Sequence, residues 1–245
     1  MPTERLLEIF GLLARRSHAG ASRGSLCSVA AEFTNFDGAN IALLLESKQL
    51  TSLCSSNAAS NALLELEITL GEGPTTDACA SDDVICVDHL GDENETRWLT
   101  YAPMALANGA ASVYAFPISI GAACLGALTL FRWETKALSE EQESDAYLMA
   151  SVVARAILDL QAGAPRGSIA TQLEREAHFD FTVHQAAGMV AVQGSLTLSD
   201  ALVALRAHAF ASNRGLSELA ARVVMRRIRY EPSDGVWYEI YRSVE

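Results

Sequence analysis

Apolar side chains recur at helical spacing over residues 3–17 and 23–35, then give way to the short, dense apolar runs that suit strands. The segments 41–47 (IALLLES) and 49–55 (QLTSLCS) predict a strand pair turning at Ser47 and Lys48, followed by a short helix at about 59–66. Gly71, Gly73 and Pro74 break regular structure and predict a loop across 70–78. VICVDH (84–89) predicts a short strand. Residues 112–121 and 123–133 predict a hairpin turning at Gly121, dense in the β-branched and aromatic residues that pleated surfaces favour. Ser139 is placed to cap a helix reaching Leu160, with Glu140, Glu141 and Glu143 in the first turn, where the helix dipole favours acids.

The pattern changes after Ala162. GAPRGS has the composition of a connection, and beyond it every periodic stretch is helical: 172–193, 199–212 and 216–229. Gly194 and Gly215 suit helix ends, and Thr197 or Ser199 a helix start. On the last stretch Leu219, Ala220, Val223 and Val224 share one side, and Arg222, Arg226 and Arg229 the adjoining one. In the preceding stretch Leu198, Ala201, Leu202, Leu205 and Ala209 form a stripe with Arg206 at its edge. Two helices are therefore expected to present arginines beside a common core. The tail 231–245 reads as an extra strand or short helix with buried aromatics.

Length and composition add limits. A chain of 245 residues, half of them hydrophobic and 20% charged, is expected to fold as two globular domains. No apolar run approaches a membrane span, and Glu4, Arg5 and Glu8 do not suit a signal peptide, so a cytoplasmic protein with no membrane partner is expected. The five cysteines stand singly with no CxxC pair, which predicts reduced core residues; a redox or metal role for Cys79 and Cys86 is the alternative. No GxSxG, HExxH or phosphate-binding glycine loop is present, so neither an enzyme nor a metal or cofactor is expected.

The net charge of −12 argues against a nucleic-acid partner until its distribution is considered. Residues 1–171 carry 10 basic and 21 acidic side chains, whereas Arg206 to Arg229 holds six arginines against Glu218 alone. Arginine suits bidentate phosphate contact and stacking on exposed bases. A solvated helix face is the other reading of such a run.

The run 184–224 (HQAAGMVAVQ…LSDALVALRAHAFASNRGLSELAARVV) resembles the ANTAR domain of bacterial transcription antitermination regulators. The segments LGEGPTTDA, VDHL, RWLTYAP, SVYAFPISIG and LGALTLFR resemble the GAF domains that precede it in actinobacterial regulators, over about residues 4–160. The resemblance implies an α+β fold: a GAF-like antiparallel sheet of six or so strands with flanking helices, then an all-α three-helix ANTAR-like domain. The corresponding boundaries are 1–162 for the sensor domain, 163–171 for the linker, 172–230 for the helical domain and 231–245 for an extension.

It also implies dimers that bind paired hairpins in nascent RNA under control of the sensor. Ala186, Gly188, Met189, Arg206, Asn213 and Arg214 match the family motif, and Arg222 and Arg226 join them on charge geometry. Each has a structural reading too: Ala186, Gly188 and Met189 as helix packing, Asn213 as a turn former. Ala187 stands where relatives often carry lysine, so one expected RNA contact is missing.

In the sensor, His89, Trp98 and Tyr101 fall near the expected small-molecule pocket, or else in its core. The signature of cyclic-nucleotide-binding relatives is absent, and Asp82 and Asp83 do not form a phosphoacceptor site. Two other readings stay open. One is a small-molecule sensor with an unidentified helical output. The other is a dimerisation or protein-interaction module pairing through Leu148, Val152, Ala156 and Leu160. The acidic sensor surface is also a candidate to mask the arginine face until a signal separates them.

Overall fold

The computed structural model describes residues 2–18, 25–45, 49–161, 182–232 and 236–240. The chain forms two compact units, Met1–Phe179 and Asp180–Glu245. The expected linker 163–171 and the first part of the helical domain, 172–181, lie outside the described residues.

In the N-terminal unit an antiparallel sheet runs β2 (Leu50–Ser55), β1 (Gly38–Leu44), β5 (Ala123–Arg132), β4 (Ser112–Ile120), β3 (Ile85–Val87). Among the described residues it has five strands, in keeping with the six or so expected. β1 is buried along nearly its whole length, because both sheet faces are covered; its continuous apolar run follows from that. Ile41, Tyr114, Phe116, Leu128 and Leu130 face α1 (Pro2–His18), α2 (Ser25–Thr34) and α6 (Glu140–Gln161) in the larger core. Val113 and Phe131 face the other way, toward α3 (Ala58–Leu70) and α5 (Tyr101–Ala107), and Ala115 and Ala127 pack on Ala78 of α4 (Pro74–Ser81).

The helix starts follow local chemistry. Asn57 accepts the Ser60 amide (2.8 Å) to open α3, and Ser139 Oγ accepts the Gln142 amide (3.3 Å) to open α6. The loop expected over 70–78 shrinks to 71–73, because Pro74 occupies the first turn of α4, where its missing N–H costs nothing. α5 had no counterpart in the sequence reading.

Two further expectations are corrected here. Cys27 of α2 and Cys54 of β2 are joined in a disulfide, since the packing of helix on strand brings residues 27 apart in sequence to a Cα separation of 5.9 Å. Val152 and Ala156 of α6 are buried in the unit's own core, with Leu148 packed against it, so the stripe proposed for dimer pairing is consumed internally. The side chain of Leu160 lies outside the described residues.

The C-terminal unit comprises α7 (Thr182–Gly194), α8 (Leu198–Ala211), α9 (Leu216–Val224) and a hairpin of β6 (Ile228–Glu231) and β7 (Val236–Glu239). Ala186, Ala187, Val190, Leu202, Leu205, Leu219 and Val223 are among the buried residues between the helices. This unit is not all-α. The third helix ends at Val224 and not at 229: Arg226 takes a left-handed conformation (φ 56°) that turns the chain away, and β6 pairs with β7. Gly194, at the end of α7, has no room for a Cβ, which would stand 2.8 Å from the Tyr230 ring of the hairpin.

Candidate functional site

The arginines of the C-terminal unit fall into separate settings. At the turn after α9, Arg226, Arg227 and Arg229 are exposed, and no acidic side chain pairs with them among the described residues. Arg226 and Arg229 line a groove of about 580 Å³ together with Gly188 and Met189 of α7 and Ile228 of β6. Three of the sequence-predicted residues, Gly188, Met189 and Arg226, thus share one concavity.

Arg214 and Arg222 belong to a second setting. Both reach the carboxylate of Glu239 on β7, at 3.4 and 2.8 Å, and Arg214 also lies 3.8 Å from Glu218. Beside them His208 stacks on Trp237 (ring centroids 4.8 Å apart, planes at 12°). Burial, then the charges of Arg214 and Arg222, hold the His208 pKa below the ordinary histidine value. Arg206 joins neither group: it is partly buried, its Nε finds no partner among the described residues, and desolvation pushes its pKa down.

Ala186 is buried in the helix interface, where it packs. Ala187 is buried as well. In this chain that position faces the core. Asn213 is exposed in a left-handed turn (φ 53°), the backbone role its residue type favours.

Glu239 completes the second setting and went unrecognised in the sequence, while Arg229, read there as part of a basic helix face, stands on β6. The signal that points to them is the alternation in IRYE (228–231) and VWYE (236–239) around Pro232 and the Asp234–Gly235 pair, a hairpin pattern.

In the N-terminal unit the polar interior lies on the α3, α4 and α5 side of the sheet. Glu67 of α3 is fully buried. Its carboxyl accepts the Thr75 hydroxyl (2.7 Å) and the Thr76 amide (2.7 Å), and Thr75 shares a hydrogen bond with Thr129 (2.9 Å). Thr129 pairs in register with Asn40, and Asn40 with Ser55, so the row continues across three strands on one face. The Asn40 amide, the Ser55 hydroxyl and the Tyr101 hydroxyl are buried in this interior without hydrogen-bond partners among the described residues.

Desolvation raises the Glu67 pKa to about 7 against the help of its hydrogen bonds. Burial, then the nearby Glu67 charge, raises that of Tyr101. Gly73 is obligatory here: at φ 147° a Cβ would sit 2.7 Å from the Glu67 carboxyl carbon.

Of the three expected pocket residues, Trp98 and Tyr101 are buried and meet edge to face (5.8 Å, 88°), with the Trp98 indole N–H donating to Asp77 (2.9 Å). His89 is exposed on the loop after β3. The neighbouring Cys124 thiol, then burial, pushes the Cys79 thiol up, and the Cys79 thiol holds Cys124 below the ordinary thiol value; Cys86 is exposed. Among the described residues no cluster of three or more histidine, cysteine or carboxylate side chains is placed to hold a metal. No single helix there is long and apolar enough to cross a membrane.

No family model matches the chain, and no curated protein matches it. Solved structures do, over the N-terminal region. The GAF domain of a phosphoenolpyruvate-protein phosphotransferase from Acinetobacter is 15% identical, with 68% of this chain and 99% of that one covered and a TM-score of 0.47. The GAF domain of a phosphoenolpyruvate-protein phosphotransferase from Coxiella burnetii is 14% identical, with coverages of 64% and 96% and a TM-score of 0.45. The GAF domain of a two-component sensor histidine kinase from Bacillus halodurans is 14% identical, with coverages of 52% and 85% and a TM-score of 0.40.

Proposed function

We propose that this protein is a non-enzymatic, signal-responsive regulator whose C-terminal unit binds hairpin RNA, acting on transcription termination through nascent transcripts. The observation that carries the reading is the set of three exposed guanidinium groups, Arg226, Arg227 and Arg229, which have no acidic partner among the described residues, two of them lining a groove, on an otherwise acidic chain. Phosphate affinity comes from cations that release counterions, and guanidinium planes also stack on the unstacked bases of loops. The motif resemblance of residues 184–224 supplies the class of RNA, paired hairpins, and the dimeric state. The N-terminal unit supplies the signal: its buried row of polar groups, several without partners among the described residues, suits a small polar ligand that completes their hydrogen bonds.

Crosslinking in cells followed by sequencing of the bound RNA tests this directly. Hairpins upstream of terminators should be enriched with the wild type and lost with Arg226→Ala/Arg229→Ala. Recovery of no RNA above an uncrosslinked control would dispose of the reading.

Glu239 sets a ceiling on affinity. Its carboxylate occupies Arg214 and Arg222 in the position a phosphate would take, and partly exposed pairs of this kind are worth about 0.2–1 kcal/mol each. Glu239→Gln is therefore expected to tighten RNA binding by about threefold to tenfold and to steepen its salt dependence. A filter-binding titration at several salt concentrations reads both; unchanged affinity would mean that these arginines stay outside the interface.

A further inference from the structure

We infer that the groove between α7 and β6 is a subsite for a single unstacked nucleobase, with Gly188 and Met189 as its floor and Arg226 and Arg229 as its cationic rim. The inference rests on the RNA-binding reading and assigns one part of it to one cavity.

Gly188 is the observation that points there. It lies inside α7, where glycine costs stability relative to alanine. A Cβ added at Gly188 would meet nothing within 4 Å. Packing among the described residues therefore gives no reason for glycine at this position, in contrast to Gly194 in the same helix, whose missing Cβ makes room for Tyr230. Gly188 lines the groove, so the absent methyl leaves that space open.

The chemistry of the walls selects the occupant. Met189 and Ile228 give an apolar lining, and a polarisable thioether makes favourable contact with an aromatic ring. Arg226 and Arg229 stand at the rim with no carboxylate paired to them among the described residues. Gln185, exposed at the same rim, offers a donor and an acceptor to a base edge. A flat apolar group carrying an adjacent anion satisfies all three features, and a nucleotide whose base has left its stack is that ligand. A volume of about 580 Å³ is in keeping with small-ligand sites. The groove exists because β6 follows a left-handed turn at Arg226; a continued helix would leave no facing wall.

The experiment uses the full chain with methyl-labelled methionine. The probes are short single-stranded oligoribonucleotides and an abasic ribose-phosphate oligomer of equal length. Base-containing oligomers should move the Met189 methyl resonance upfield through the ring current and bind more tightly than the abasic one. Gly188→Val should abolish that shift and cost about tenfold in affinity for base-containing oligomers while leaving the abasic oligomer's affinity unchanged. Gly188→Ala, which places one methyl in open space, should raise the melting temperature by about 4 °C while weakening the same binding. The inference is overturned if Gly188→Val binds both oligomers like the wild type, or if binding leaves Met189 unmoved. Absence of any binding by the wild type would instead overturn the RNA reading and this subsite with it.

Discussion

Replacing Arg226 and Arg229 together with alanine should weaken binding of hairpin RNA by about 25- to 60-fold at 0.1 M monovalent salt. The figure follows from counterion release: each phosphate contact contributes about 0.7 to 0.9 to the slope of log affinity against log salt, so two lost contacts remove about 1.4 to 1.8 decades. The slope itself should become shallower by the same amount. Both side chains are solvent-exposed and carry no ion pair among the described residues, so neither has to give up an internal partner before meeting RNA. Arg214→Ala/Arg222→Ala should cost less, because Glu239, at 3.4 and 2.8 Å, already offsets part of the charge of the pair. The comparison matters more than either value. Equal losses from the two pairs, or a salt slope that does not change with Arg226 and Arg229, would show that the positive charge at the hairpin is not what holds the RNA.

Much of the N-terminal fold was legible because its signals are local. The β4–β5 hairpin announces itself by β-branched and aromatic density on both sides of Gly121, which takes the left-handed conformation its turn needs. α6 does so by Ser139 and the acids of its first turn. α5 is seven residues long, contains Pro103, and depends on buried Trp98 and Tyr101, so tertiary packing and not periodicity makes it.

The same distinction explains the site. The arginines are plain in the sequence, but a helical wheel drawn through Arg229 assumes a helix that stops at Val224, and the true grouping depends on a strand pairing that follows. Glu239 lies 25 and 17 residues from the arginines it neutralises, beyond the reach of any local pattern. Cys27 and Cys54 are joined across a comparable gap, which single cysteines with no motif cannot disclose. On α6 an apolar stripe looks the same whether a neighbouring subunit or the chain's own sheet covers it. Here the sheet and α2 do.

Between pH 5 and 8 the N-terminal unit should lose about 3 kcal/mol of stability through Glu67 alone. Burial raises this carboxyl from 4.5 to about 7 in the folded protein, so the folded state holds the proton more tightly than the unfolded chain. The contribution is complete below pH 4.5, where both states are protonated. It declines as pH rises, at about 1.4 kcal/mol per unit, and is lost once the pH passes the folded value near 7. Glu67→Gln keeps a group that can accept from the Thr76 amide and removes the titration. The variant should therefore match the wild type near pH 5 and exceed it by about 3 kcal/mol at pH 8. Denaturant unfolding of the two proteins across this range, followed by the emission of buried Trp98, makes the comparison. Parallel stability profiles would mean that the charge on Glu67 is solvated or compensated, and that this interior is not the low-dielectric site its burial implies. A ligand that donates hydrogen bonds into the row, or carries positive charge there, favours the ionised carboxylate. Its binding should release a proton near neutral pH, and the dependence of binding enthalpy on buffer ionisation measures that release.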